Sequence, residues 1–294
     1  FGGNVTNTRG TSFNLSGSTT TFTGSGSITP TVAMTFGNVV VNTGVTSATV
    51  TAAGTLTIAG NLTLNGTAAL NGTEAVLLTG ASTTIDGTGS IGAATTVSAL
   101  HTIQATANLT LTGTMTLSGA GNRIDNNGTV TAATLAGSVA GAVWTNLTSS
   151  TLNVSAALLT TGTLTATANP NTVNYNGTAA VNQTVKPTTY HHLTVTRGAS
   201  NVAVINAATT TLNGNLTVTS GTLRIAGGVG TTVSVLGNVS VTGTLDLRGC
   251  NFTASGSTSV GGTISFTTGV GGTKTFVGPV TINAGATWDN VINE

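Results

Sequence analysis

The chain has 294 residues and almost no charge: seven Lys and Arg stand against six Asp and Glu, for a net charge of +1. Charged residues make up 4% of it, against about a quarter in an ordinary soluble domain. Without clustered Lys and Arg there is nothing to grip nucleic acid or an anionic membrane, so both partners are set aside. Disorder is excluded as well, because it goes with high charge and few β-branched residues, whereas Thr, Val, Gly, Asn, Ser and Ala fill this chain.

Mean hydropathy is positive, yet Val, Ala and Leu alternate with Thr and Ser throughout. No apolar run approaches the roughly 18 residues of a spanning helix. Aromatics are 4%, too few for the girdles of a membrane barrel, so no membrane insertion is expected. Thr and Val favour strands while Gly and Asn favour turns, which points to many short strands. The single cysteine, Cys250, has Leu247 and Phe252 nearby and reads as a small buried hydrophobe rather than a reactive thiol.

In chain order, residues 1–36 repeat poorly, but a recurring aliphatic position can be followed from the N-terminus through the whole sequence. It runs through Leu15, Val39, Leu62, Ile85, Leu109, Val130, Leu152, Val173, Leu193, Leu216, Val239, Ile264 and Ile282, mostly about 20–25 residues apart, a period that marks a solenoid. Around it the pattern has period two, as in Leu62/Leu64, Leu109/Leu111, Leu193/Val195 and Leu216/Val218. Two aliphatic side chains therefore share one face of a strand, with Thr or Ser on the other.

The copying is cleanest at Thr210–Leu247, where GNLTV and GTLRI return as GNVSV and GTLDL. Each coil offers two or three strands separated by turn signals such as TSG, TG and AGG. The fold expected is all-β: a single-stranded parallel β-helix of about 13 coils, each strand pairing with its copy one coil on. Right-handed winding follows from the general preference for right-handed parallel crossovers. The whole of 1–294 reads as one continuous domain, with a possible longer excursion at 169–190. Its first and last residues, Phe1 and Glu294, make it look like an excerpt or processed form of a longer chain.

The thirteen charged residues can all be inspected: Arg9, Glu74, Asp86, Arg123, Asp125, Lys186, Arg197, Arg224, Asp246, Arg248, Lys274, Asp289 and Glu294. A sugar-cleaving β-helix enzyme would gather carboxylates on one face, but these acids are scattered, and Asp86 and Asp125 fall nearly two coils apart. No catalytic residue, cofactor or metal site is expected. The adjacent His191 and His192 point to opposite faces of a strand and make a poor chelate. Gly227-Gly228-Val229-Gly230 lacks the aspartates of a calcium-binding repeat.

Arg224 and Asp246 hold matching places in TLRI and TLDL, so one coil brings them side by side. An exposed ion pair is the favoured reading, a polar binding spot the other. Asn61, Asn108, Asn215 and Asn238 begin Asn-x-Ser/Thr triplets at equivalent places in their repeats. They read as ladder positions, in a row with Asn38, ahead of glycosylation sites.

At Asn171–Gly221 the segments TVNYNGTAAVNQTV, YHHLTV and TTTLNGNLTVTSGTL resemble the repeats of very large Thr/Gly-rich secreted surface proteins of Bacteroidota and related bacteria, often exported by the type IX system. KTFVGPVTINAGATWDN at 274–290 is similar to the opening of another such unit. The resemblance implies a β-solenoid on the cell surface or in an extracellular fibre.

The function expected is that of a non-enzymatic extracellular structural protein, a rigid β-helical rod that forms or extends a fibre, stalk or sheath by end-to-end stacking. Its partners would be copies of itself or further repeats of the same chain, because unpaired strand edges invite another coil. The alternative is a surface adhesin that binds polysaccharide or host and solid surfaces through a flat Thr/Asn/Ser face.

Overall fold

The computed structural model describes residues 1–8, 10–45, 47–51, 54–206, 209–266 and 271–289; Arg9 and Glu294 lie outside them. The protein is all-β, its parallel strands stacked as a β-solenoid of about 13 turns. Among the described residues the one helical element is a short 3-10 turn at Gly228–Gly230. By proximity the chain divides into two compact units, Phe1–Thr145 with Leu159–Leu164, and Asn146–Leu158 with Thr165–Glu294.

In the first unit a coil carries three strand positions. Val5–Asn7 stacks on Gly26–Pro30, which stacks on Ala48–Val50 and then on Ala69–Gly72. A second column runs from Met34 through Leu56, Val76 and Thr95 to Met115 and Leu135. The third begins Val39, Leu62, Ile85 and Ile103. Inward residues are buried and their neighbours are not, as in Leu62–Leu64. The described residues of 1–36, irregular as a sequence, are coiled like the rest: Phe13 lies over Met34 and Val5 over Ile28. Aromatic rings contribute to their core: Phe22 and Phe36 are buried, with ring centres 6.1 Å apart.

The second unit also has three sheets. One stacks Thr151–Val154, Thr172–Tyr175, His192–Thr196, Leu216–Ser220, Val239–Val241, Thr258–Val260 and Val280–Ile282. Another runs from Gln183–Thr184 through Val202–Ile205, Thr222–Ile225, Thr244–Asp246 and Thr263–Ser265 to Thr287–Asp289. The third runs from Thr189–Tyr190 through Thr209–Leu212, Thr232–Val235 and Asn251–Ala254 to Lys274–Phe276.

The recurring aliphatic position is not one column. Ile85 lies beneath Ile103, because that coil is 18 residues long, and Leu109 belongs with Val130 on another side. Val239 lies beneath Thr258, whereas Ile264 stands over Leu245 and Leu223. All three sides carry the same apolar-polar-apolar motif, so a fixed period steps from one side to another wherever a coil is short.

The Gly-Asn pairs form the corners. Asn61 N–H donates to Asn38 Oδ1, Asn238 N–H to Asn215 Oδ1 and Ser257 N–H to Asn238 Oδ1, each at 2.9 Å. The preceding glycine has no room for a side chain: a Cβ on Gly237 would stand 2.5 Å from Asn215 Oδ1 and 2.6 Å from the Gly214 carbonyl. A Gly-Asn corner therefore satisfies the next coil's backbone N–H, which would otherwise face the bend unpaired.

The column through Val239 and Val280 is interrupted by Thr258, whose hydroxyl is buried without a hydrogen-bond partner. Thr258→Val keeps the shape and removes an unsatisfied donor. We expect it to raise stability by about 1 kcal/mol, read as a higher urea midpoint; a lower midpoint would show that the hydroxyl is used.

Candidate functional site

Charge gathers in the second unit on the sheet that contains Thr222–Ile225 and Thr244–Asp246. Arg224 and Asp246 are neighbours in register across one coil. Arg224 Nε donates to Asp246 Oδ2 at 2.9 Å. A third member is Arg248, whose Nε donates to the same oxygen at 3.1 Å. Arg248 sits at φ +40°, a left-handed conformation that a branched or long side chain rarely adopts. The bend folds its guanidinium back over Asp246. The carboxylate is buried beneath the two arginines, which stay 29% and 32% exposed along their side chains. Leu-Asp-Leu-Arg places Asp246 and Arg248 two apart, so period-two alternation is the signal that would have found the third member.

A buried cation anchors the excursion. The inward series Leu193, Val195 continues into Arg197, whose Nη2 donates to the carbonyls of Ala179 and Val181 at 2.9 and 2.8 Å and whose Nη1 donates to Gln183 Oε1. Gln183 Nε2 in turn donates to the carbonyls of Val154 and Ala156 at 2.7 and 2.9 Å. Burial lowers the Arg197 pKa, with no carboxylate among these partners to oppose it. Behind it the Tyr175 and Tyr190 hydroxyls meet at 3.0 Å, and Lys186 N–H donates to Tyr175 at 2.8 Å. Burial pushes Tyr175 up to about 12 and raises Tyr190 well above its usual value, so both stay protonated. The segment at 169–190 is thus a coil with a long loop pinned from inside, and its tyrosines are structural.

His192 takes the place that Asn215 holds one coil on, for its Nδ1 accepts the Asn215 N–H at 2.9 Å. YHHLTV and LNGNLTV are the same corner with His191-His192 in place of Gly214-Asn215. Burial, and then the neighbouring His191, lower the His192 pKa. In the first unit His101 Nδ1 lies 2.6 Å from Thr83 Oγ1, and that hydroxyl also donates to the Gly80 carbonyl. The ring is therefore the donor in the pair. Burial lowers its pKa, the Leu78 carbonyl opposing in part.

Both folded values lie below the unfolded value of about 6.5, so the unfolded chain binds more protons and stability falls on acidification. The stability these rings carry is fully present above about pH 6.5 and is lost as the pH falls through their folded pKa values. We expect a lower melting temperature at pH 5 than at pH 7.5, with a shallower dependence in His192→Asn. A melting temperature that does not change over that range would contradict the assignment.

The remaining expected residues are dispersed. Asn61 Oδ1 accepts the Thr84 N–H at 2.9 Å, whereas Asn108 starts the strand Asn108–Leu117, on a different side of its coil. Side chain onto backbone is the form the corner ladder takes; an amide-to-amide rung occurs at Asn174 on Asn153, 3.1 Å. Asp86 accepts from Gly87 N–H and Thr106 Oγ1, and Asp125 pairs with Arg123 at 2.7 Å.

Among the described residues no three His, Cys, Asp or Glu come together as metal ligands. A hollow of about 280 Å³ in the first unit is lined by Val5, Thr6, Asn7, Thr8, Phe13 and Met34, none of them titratable. No helix among the described residues is long and apolar enough to cross a membrane. Comparison with protein-family models, with curated proteins and with solved structures found no match.

Proposed function

We propose that the chain is an extracellular structural element, a segment of a surface fibre, stalk or sheath that grows by stacking one coil upon the next. The observation that supports this most is the unbroken parallel register of the sheet from Thr151–Val154 to Val280–Ile282, in which each strand stacks on its copy one coil back. The partner such a coil suits is a further coil of the same pattern, from the same chain or from another copy. The low charge and the resemblance of the 171–221 and 274–290 segments to secreted surface repeats agree with this role.

Electron microscopy and light scattering of the purified chain test it. Filaments that disappear in Val280→Lys/Ile282→Lys support stacking of copies, and short monomeric particles at high concentration overturn the stacking of copies.

The adhesin reading has its own support. Asn153, Asn174, Thr194, Thr217, Ser240, Ser259 and Thr281 form one outward, uncharged column in consecutive register. Retention on an insoluble neutral polysaccharide, lost on Thr217→Lys, would favour that reading.

A further inference from the structure

We propose that Arg224 and Arg248, set by Asp246, bind the carboxylate or sulfate group of an acidic polysaccharide. Each arginine engages Asp246 Oδ2 through Nε alone, at 2.9 and 3.1 Å. Among the described residues no partner takes the Nη nitrogens of either. Two forked donors, the geometry that recognises planar and tetrahedral oxyanions, are thus oriented with no Nη partner among the described residues. Asp246 neutralises only one of the two cations, and the other carboxylate of this column, Asp289, stands two strands on from it.

Holding Arg248 there requires a left-handed backbone at φ +40°, a strain that cluster geometry accounts for and a loose surface charge would not require. Asp246 is buried, so the arginines are fixed from beneath.

A carbohydrate fits better than a free ion. The guanidiniums lie on an open sheet face and are partly exposed rather than enclosed. Beside them Thr222, Thr244 and Thr263 stand in register on the same strands, two residues before Arg224, Asp246 and Ser265. That column supplies donors and acceptors for sugar hydroxyls next to the site for the acid. The inference does not depend on coil stacking, and its readout is separate from assembly.

The test is binding of the intact chain to polygalacturonate, dextran sulfate, neutral dextran and inorganic sulfate at low and moderate salt. Both polyanions should bind and neutral dextran should not. Arg224→Gln and Arg248→Gly should each weaken binding by about tenfold or more. Glycine suits the left-handed backbone, so Arg248→Gly should keep its melting temperature. Arg123→Gln, which removes a cation of the first unit, should leave binding unchanged.

Three results would overturn the proposal: no preference for polyanions over dextran, an equal loss in Arg123→Gln, or inorganic sulfate binding as tightly as the polymers.

Discussion

Replacing Arg197 by Met is expected to destabilise the second unit by about 3 kcal/mol, the scale set by losing three hydrogen bonds to a charged group. The carbonyls of Ala179 and Val181 and the Gln183 side chain all depend on this guanidinium. Met fills the volume of the stem but donates nothing. Lys would keep the charge as a single point and lose the fork that reaches three acceptors at once, so Arg197→Lys should recover only part of the loss. Solenoid coils are stabilised mainly by their neighbours, which makes the damage local. Hydrogen exchange should speed up over residues 176–205 and stay nearly unchanged in the first unit. Wild-type protection in that segment of Arg197→Met would show that the loop holds itself.

Gly237→Ala should be nearly as damaging, at about 2–4 kcal/mol, the range for a core position forced to accept extra volume. The added Cβ would meet Asn215 Oδ1 at 2.5 Å and the Gly214 backbone at 2.6 Å. Neither can retreat: the Asn215 side chain is held by the Asn238 N–H, and Gly237 N–H itself bonds the Gly214 carbonyl at 3.1 Å. Asn215→Ala in the same background should relieve the side-chain clash and not the backbone one, so recovery should be partial. The urea midpoint measures both. A Gly237→Ala protein as stable as wild type would mean that the corners can open without loss, and that the Gly-Asn repeat has another cause.

These corners show how far the sequence can be read. GNLTV and GNVSV display the repeat openly, and the pairing of Arg224 with Asp246 follows from counting 22 residues. Why glycine precedes asparagine does not follow from counting, because the reason is an oxygen contributed by the previous coil. The two histidines look like an isolated pair in the chain; only beside Gly214-Asn215 do they become the same corner with a ring nitrogen in the acceptor's place. Arg197 and Arg248 each continue a period-two series visible in the sequence. What could not be read is that one faces a loop of open carbonyls and the other closes over a buried carboxylate.

The sequence by itself determined the class of fold, the alternation of inward and outward faces and the approximate length of a coil, because these follow from side-chain period and turn chemistry within a few residues. The tertiary structure alone decided which side of a coil each strand occupies, for three sides share one motif and coil length varies. It also decided which polar groups meet: Thr258 without a partner in the core, Arg197 beneath its loop, and Arg248 with Arg224 on Asp246. Those meetings depend on stacking between residues about a coil apart, and no local pattern carries that information.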